Sequence, residues 1–253
     1  MDAVLLQRLA QITEEERELL QGRGVDRALY ASGRAFEVDA AKMLEKGKLM
    51  SIRPHTRFAP FPRHSHNYVE IMYMCRGKTV HRIDGDALVT LEAGELLFLN
   101  RHASHAIQRA DAGDIAVNFI VLPQFFDEAF NMAGMDNVLS RFLLGELYTG
   151  GAAVSYLHFR VREVLPVQNL VENMVWTLVN RQPGARRINQ VTMGLLLLQL
   201  MHYTECIDMS RNGSVRSPMV EAALREIEEN YRAASLTDVA AAFHVGLPYL
   251  SAE

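Results

Sequence analysis

The feature that most constrains the fold is a run of short apolar segments between residues 58 and 122, separated by turn residues and lacking a helical period. Such segments are typical of β-strands. The predicted strands are residues 48–53 (closed by Pro54), 68–75, 79–83, 87–91, 96–99, 105–109 and 115–122. Asp84-Gly85 is a two-residue hairpin signal between two of them. This many closely spaced strands with no intervening helix predict an antiparallel sandwich or barrel.

A histidine-rich segment within this run carries the candidate site. Alternate side chains of an extended chain point to one face, so His64, His66 and Glu70 are expected on the same side of one strand. His105 follows the apolar strand 96–99 after a short turn, and in a barrel it could face the same cavity. The pattern therefore predicts that three imidazoles and one carboxylate converge inside the barrel.

The same residues resemble the first cupin motif, His-x-His followed after three residues by Glu and after six more by Gly. It is met at His64, His66, Glu70 and Gly77. In the second cupin motif, Gly94 and His105 fall in register, and the departures from the two motifs lie at Phe58, Asn100, His102 and Arg109. The resemblance implies a cupin-like barrel, while the departures argue against a standard metal-dependent cupin enzyme.

Three roles are open for the clustered side chains. They could bind the hydroxyls or carboxylate of a small ligand, ligate a divalent metal, or only satisfy one another. We expect ligand binding by His64, His66, Glu70, His81 and His105. The alternative is a metal site at His64, His66, Glu70 and His105, because imidazole nitrogens and a carboxylate suit Fe, Mn, Ni or Zn. No other cofactor and no catalytic residue is predicted.

After Pro123 the apolar period becomes helical. An i, i+3, i+4, i+7 stripe predicts a helix from about Pro166 to before Pro183, and residues 188–206 predict a second long helix that is apolar on more than one face. A short N-terminal helix is expected within residues 4–20, broken near Thr13. A helix that is apolar nearly all round must bury a second face, so a homodimer is predicted, with cover from the same chain as the alternative.

The C-terminal part begins with the best linker of the chain, residues 209–217. A third helix is predicted after Pro218, and Ser235 with Asp238 forms a capping box that opens another. Residues 236–251 resemble the first helix-turn-helix of AraC-type transcription regulators, and the strand segment resembles the sensor domain of their sugar-responsive, RhaS/RhaR-like kind. The resemblance implies DNA contacts at the start of the recognition helix, by Leu247, Pro248, Tyr249 and Ser251.

The charge of this part does not suit DNA binding. Residues 217–253 contain two arginines against six acidic side chains, and binding phosphates requires a basic surface. The sequence also stops at Glu253, about one turn into the predicted recognition helix. We therefore expect a truncated helix-turn-helix that does not bind DNA measurably by itself, as a fragment of a longer regulator.

Composition is that of an ordinary globular protein, with 49% hydrophobic and 22% charged residues. The longest apolar run is too short to cross a bilayer, the first residues have neither the basic region nor the apolar core of a signal peptide, and Cys75 and Cys206 suggest reduced thiols. A cytoplasmic location is expected.

The predicted fold is α+β, with four parts. They are a cupin-like sensing barrel with an N-terminal helix (1–123), a helical dimerisation region (124–208), a linker (209–217) and the start of a helix-turn-helix domain (218–253). The expected function is effector sensing and dimerisation in an AraC-family regulator that binds a sugar or sugar acid, without enzymatic activity. The alternative is a metal-dependent cupin enzyme, such as a sugar isomerase or dioxygenase.

Overall fold

The computed structural model describes residues 1–135, 137–149 and 152–209 of the chain. Contacts divide the chain into two compact units, Met1–Tyr148 with Ala153–Ser210 and Thr149–Ala152 with Arg211–Glu253. The two large sheets, the helices and the candidate site lie in the first unit. The predicted helix-turn-helix at 218–253 and all but the first residue of the predicted linker lie outside the described residues.

Seven α-helices and thirteen strands lie in the described part of the chain. The helices are α1 (Ala3–Leu9), α2 (Glu14–Leu20), α3 (Ala40–Met43), α4 (Asp127–Ala133), α5 (Val138–Leu144), α6 (Leu165–Val179) and α7 (Ala185–Leu200). The strands are β1 (Glu37–Val38), β2 (Met50–Pro54), β3 (Phe61–His66), β4 (Val69–Arg76), β5 (Lys78–Ile83), β6 (Ala87–Glu92), β7 (Leu96–Leu99), β8 (Ser104–Ile107), β9 (Ile115–Val121), β10 (Tyr148–Thr149), β11 (Ala152–Ala153), β12 (Tyr156–Phe159) and β13 (Ile207–Met209). Short 3-10 helices span Arg27–Leu29, Pro123–Phe126 and Met201–Cys206.

Two sheets form the body of the fold. One has the order β1-β3-β8-β5-β6 and the other β13-β12-β7-β4-β9-β2. Neighbours pair in antiparallel fashion except for β1 and β3, which are parallel. This arrangement of antiparallel sheets with helices confirms the predicted α+β, cupin-like fold.

The six-stranded sheet is buried on both faces, which explains why its central strands are apolar without alternation. On β4, Ile71 and Tyr73 pack into the core shared with the helices, while Met72 and Met74 belong to a second core between the sheets. The period of two therefore sends Glu70, which has the parity of Met72, toward the interior between the sheets.

The N-terminal region differs from the single broken helix that the sequence predicts. Thr13, the predicted break, is the N-cap of a second helix, because its side chain accepts a hydrogen bond from Glu16 N while the Glu16 carboxylate accepts one from Thr13 N. This reciprocal capping box satisfies two N–H groups at the start of α2.

The region 124–208, predicted to be helical, also supplies two strands to the six-stranded sheet. β12 pairs with β7, and β13 pairs with β12, so that Met209, the first residue of the predicted linker, ends a strand. The helix predicted over 188–206 is α7, which begins at Ala185 and ends at Leu200. A 3-10 segment, Met201–Cys206, follows it, and Tyr203 within that segment has non-helical backbone angles.

The two long helices predicted after Pro123 are present as α6 and α7, which pack on each other, and α7 also packs on α4. Gly194 permits the second contact, since a Cβ at this position would lie 2.5 Å from Met132 Sδ and 3.5 Å from Ala129 Cα. The helices cover the outer face of the six-stranded sheet. None of the described helices is both long and apolar enough to cross a membrane.

Candidate functional site

The predicted cluster assembles in the interior between the two sheets. His64 and His66 lie on β3, and His105 lies on β8, where it is the direct cross-strand partner of His64. One ring nitrogen from each of the three histidines lies within 4.8 Å of the others. Glu70, on β4, places Oε2 3.4 Å from His66 Nε2 and 3.5 Å from His105 Nε2.

His64, His66, Glu70 and His105 do come together, but the predicted route to this convergence was wrong. His66 and Glu70 do not share one face of one strand, because the chain bends at residues 67–68 and passes from one sheet to the other. The Asn67 side chain holds this bend by accepting a hydrogen bond from Ala40 N and donating one to Asp39 Oδ1. Glu70 therefore reaches the imidazoles across the barrel from the opposite sheet.

Glu70 is a buried carboxyl group with one unsatisfied oxygen. Asn118 Nδ2 donates to Oε1 at 2.9 Å, whereas Oε2 has no hydrogen-bond partner among the described residues. Burial raises the pKa of Glu70 to about 7. Near neutral pH the group is thus poised between an acceptor-only carboxylate and a carboxylic acid that can donate.

The imidazoles around it are neutral at physiological pH. Burial lowers the pKa of His64 to about 4 and lowers the pKa values of His66 and His105 well below the usual 6.5. A neutral imidazole has one N–H donor and one lone pair, and the tautomer sets which nitrogen carries which. The cluster therefore offers lone pairs to a cation as well as donors and acceptors to a polar ligand.

The row of imidazoles continues from His105 through His81, which belongs to the predicted site, to His55, which does not. His81, on β5, lies parallel to the His105 ring, with the centroids 5.7 Å apart, and its Nε2 is 2.8 Å from Thr79 Oγ1. His55 is only 4% exposed, and its ring centroid is 6.2 Å from that of His81.

Asn118 and His55 are the site residues that the sequence reasoning missed. Asn118 carried a usable signal, since it is a polar residue on the interior parity of the apolar strand β9, between Ala116 and Ile120. His55 carried none, because it follows the strand-ending Pro54 and only the tertiary fold places it inside.

The cavity next to the cluster is small. It has a volume of about 40 Å³ and is bounded by His64, His66, Glu70 and Asn118 on the inside, with Arg53 and Tyr30 toward its mouth. A water molecule needs roughly 10–15 Å³ on this measure, whereas pockets for organic ligands span about 300–1,000 Å³. This space accommodates water or a single ion, and a sugar-sized ligand requires the pocket to open.

The donor set fits a divalent metal. Three neutral imidazoles and the unsatisfied Glu70 Oε2 are the ligand types of Zn, Fe, Mn and Ni sites. His64 also has the outer hydrogen bond typical of a metal ligand, since its Nδ1 lies 2.8 Å from Pro62 O. His66 Nδ1 and His105 Nδ1 have no such partner among the described residues.

Several other histidines and arginines lie apart from the cluster. His158 pairs with Glu95, with 2.9 Å between Nε2 and Oε2, and His102 Nε2 lies 3.2 Å from Gly145 O. Arg63, on the outside of the barrel, donates to Ser104 Oγ. The residues expected to contact DNA, Leu247, Pro248, Tyr249 and Ser251, lie beyond the described part of the chain.

Residues 51–130 match the AraC-like ligand binding domain family. The match runs from β2 into α4 and includes all of the histidines and carboxylates of the cluster. The predicted resemblance to the sensor domain of AraC-type regulators is thereby confirmed. No curated protein has a sequence that matches this chain.

Several solved structures are similar to the chain at low sequence identity. An apo variant of ToxT from Vibrio cholerae is 10% identical, with 80% of this chain and 73% of that chain covered and a TM-score of 0.48. The AraC-like transcriptional activator CuxR is 11% identical over 72% of this chain and 58% of its own, with a TM-score of 0.33. A cupin protein from Bacteroides fragilis is 28% identical over 29% of this chain and 64% of its own, with a TM-score of 0.25.

Proposed function

We propose that this chain, which carries an AraC-like ligand-binding domain at residues 51–130, is the effector-sensing and dimerisation portion of an AraC-family transcription regulator that controls DNA binding. The observation that carries the proposal is that the domain match covers every strand that contributes to the buried histidine and glutamate cluster. We further propose that the cluster is a binding centre, because its unsatisfied Glu70 Oε2 is costly to bury without a partner.

The ligand class that suits the cluster best is a sugar or sugar acid. Hydroxyl groups can donate to Glu70 and exchange hydrogen bonds with the neutral rings of His64, His66 and His105, and His81 extends the set. Such a ligand must enlarge the cavity of about 40 Å³. A sensor requires an effector that binds two conformations with different affinity, and an opened pocket provides that difference.

A thermal-shift screen of sugars, sugar acids and aromatic acids, with and without a chelator, tests the binding centre. One class of sugar is expected to raise the Tm of the wild type. Glu70→Gln should lose this shift, while the control Glu95→Gln, which changes a buried carboxylate paired with His158, should keep it. Failure of every sugar and sugar acid to raise the Tm at millimolar concentration would refute a sugar-binding centre.

We propose a homodimer through the helical pair. Val191 and Leu195 lie one turn apart on α7 and remain 39% and 43% exposed, as does Trp176 on α6 at 48%. Exposed apolar side chains grouped on a helix face are typical of protein interfaces. A second copy of the chain is the occupant that the AraC-type resemblance favours.

Sedimentation equilibrium tests this interface. Leu195→Glu should weaken the dimer at least tenfold, whereas Leu88→Glu, at a 58% exposed position on β6, should leave the mass unchanged. A wild type that stays monomeric at 100 μM would contradict the proposal.

Control of DNA binding is the remaining part of the proposal. The effector would bias the geometry of the dimer and so the placement of the predicted helix-turn-helix segment. A mobility-shift titration of the full-length regulator on its promoter, with and without the effector, measures the coupling. An affinity for DNA that is identical in both conditions would exclude it.

A metal-dependent cupin enzyme is the second candidate, favoured by the three ring nitrogens within 4.8 Å of one another. His64, His66 and His105, with Glu70, would hold the ion, which supplies Lewis acidity toward a bound oxygen. Elemental analysis of purified protein, followed by turnover assays on candidate sugars, distinguishes the two functions. Stoichiometric metal together with turnover would favour the enzyme, and metal-free protein that binds an effector would favour the sensor.

A further inference from the structure

A second cavity, much larger than that of the cluster, lies between the barrel and the helices. Its volume is about 540 Å³, which falls within the range of roughly 300–1,000 Å³ of organic-ligand pockets. It is bounded by β2, by the end of α1, and by the end of α6 with the start of α7. None of the four cluster residues lines it.

The lining of this junction cavity is about half apolar and half polar, and it includes one unsatisfied amide. Leu9, Met50 and Phe125 are buried wall residues. Asn189, on α7, also lines the cavity and is 1% exposed, and its Oδ1 has no hydrogen-bond partner among the described residues. A buried amide oxygen without a donor is destabilising, so a ligand O–H or N–H that donates to it would be stabilised here.

The rim of the junction cavity is cationic. Arg8, Lys48, Arg181 and Arg186 lie on it, against a single acidic residue, Glu45. Glu45 Oε1 approaches Arg181 Nη2 only at 3.9 Å, and neither Lys48 nor Arg186 has an ion-pair partner in the described part of the chain. An anionic group at the rim would therefore meet three cations, Arg8, Lys48 and Arg186, that have no ion-pair partner among the described residues.

Arg181 occupies this rim at a conformational cost. It has φ +50°, a left-handed conformation that favours glycine after a helix C-terminus, and it follows directly on the C-cap Asn180 of α6. A non-glycine residue in that position is strained. The chain thus keeps an arginine at the rim where a glycine would be less strained.

We propose that the junction cavity is a binding site for a small amphipathic organic anion, whose apolar body lies against Leu9, Met50 and Phe125 and whose carboxylate faces the cationic rim. A hydroxyl or N–H on the body would pair with Asn189. Met43 and Pro54 line both this cavity and the small cavity of the cluster, so the two sites share a wall at the end of β2. Occupancy of the junction cavity would then bear on the barrel and on α6 and α7 together.

Calorimetric titration with decanoate and 4-phenylbutyrate, below their aggregation concentrations, tests the proposal. At least one is expected to bind with a Kd below 1 mM, and decanol at least tenfold more weakly than decanoate. Ala185→Phe, which fills the cavity from the exposed start of α7, should abolish binding. Lys48→Glu combined with Arg186→Glu should weaken it at least tenfold.

The control is Lys46→Glu combined with Lys42→Glu, which makes the same charge change at exposed residues that do not line the cavity. It should change the Kd less than twofold. The proposal is overturned if neither carboxylate binds the wild type, if Ala185→Phe binds as the wild type does, or if the control pair weakens binding as much as the rim pair.

Discussion

A buried ion pair joins the N-terminal helices to the barrel, and its removal is expected to be strongly destabilising. Glu16, on α2, and Arg57 are 1% and 4% exposed at their side chains. Arg57 Nε donates to Glu16 Oε1 at 2.7 Å and Arg57 Nη2 to Oε2 at 2.9 Å, which makes the pair bidentate. The guanidinium also donates to the carbonyls of Ala10, Gln11 and Ala112.

The magnitude follows from what each partner would lose. Glu16→Gln removes the negative charge and one hydrogen-bond acceptor. The Arg57 guanidinium is then buried, nearly without water, beside a neutral amide instead of a carboxylate. Breaking a buried pair on one side costs about 3–5 kcal/mol, whereas an exposed pair is worth about 0–1 kcal/mol. We therefore expect Glu16→Gln to lower the free energy of unfolding by about 3 kcal/mol.

The matched control is Glu14→Gln, because Glu14 lies on the same helix and pairs with Arg17, where both side chains are exposed. Its expected cost is below about 1 kcal/mol. Urea denaturation followed by circular dichroism measures both, and the double variant Glu16→Leu with Arg57→Met should recover much of the loss. A cost for Glu16→Gln that equals that of Glu14→Gln would refute the reasoning.

The Glu16–Arg57 pair also makes the free energy of unfolding depend on pH. Burial alone would raise the pKa of Glu16, but the hydrogen bonds and charge of Arg57, with the Thr13 N–H, outweigh it and leave the pKa below 4.5. A carboxylate whose folded pKa is depressed contributes stability that is present above its unfolded pKa and lost as pH falls through the folded value. Wild-type stability should therefore fall more steeply than that of Glu16→Gln below about pH 4.5.

Three further predictions concern the barrel. Burial lowers the pKa of His55 to about 4, so the stability contributed by its neutral form is lost as pH falls from 6.5 toward 4. Between pH 7.5 and 5, the free energy of unfolding of His55→Leu in urea titrations should therefore fall by about 2 kcal/mol less than that of the wild type. Gly94→Ala should cost at least about 2 kcal/mol, because φ is +86° and a Cβ would lie 2.9 Å from Arg162 Cα, whereas Gly85→Ala, with φ +94° and open space, should cost about 1 kcal/mol. Added Mn²⁺ should raise the Tm of chelator-treated protein, and His105→Phe should remove that rise; an equal rise in both would place the ion elsewhere.

The sequence predicted the locally determined parts of the fold. The strands 79–83 and 87–91 were right to within a residue, and Asp84-Gly85 lies in their hairpin with φ +51° and +94°. The loop has three residues, since Ile83 pairs with Ala87. Period, turn residues and apolar content suffice for such a hairpin because the pairing of its two strands is between neighbours in sequence.

Long-range pairing could not be predicted in this way. β12 lies next to β7 and β13 next to β12, although 56 residues lie between β7 and β12 and 47 between β12 and β13. Strands of three or four residues carry too short a pattern to be assigned by period. Arg57 illustrates the same limit, because nothing near it in sequence indicates a buried partner 41 residues earlier.

Each of the two cavities has only some of the properties that a sensor of organic molecules requires. The barrel cluster has the chemistry, with neutral imidazoles and an unsatisfied carboxyl oxygen, but only about 40 Å³ of space. The junction cavity has about 540 Å³ and a cationic rim, and its walls come from both β2 and the α6–α7 pair. Binding energy alters a dimer interface most directly where the ligand contacts elements that form that interface. A ligand in the junction cavity touches the proposed dimer helices directly, while a ligand or ion in the cluster must act through the shared wall at Met43 and Pro54. Variants that fill the junction cavity should therefore disturb effector-dependent dimerisation more than variants of the cluster do.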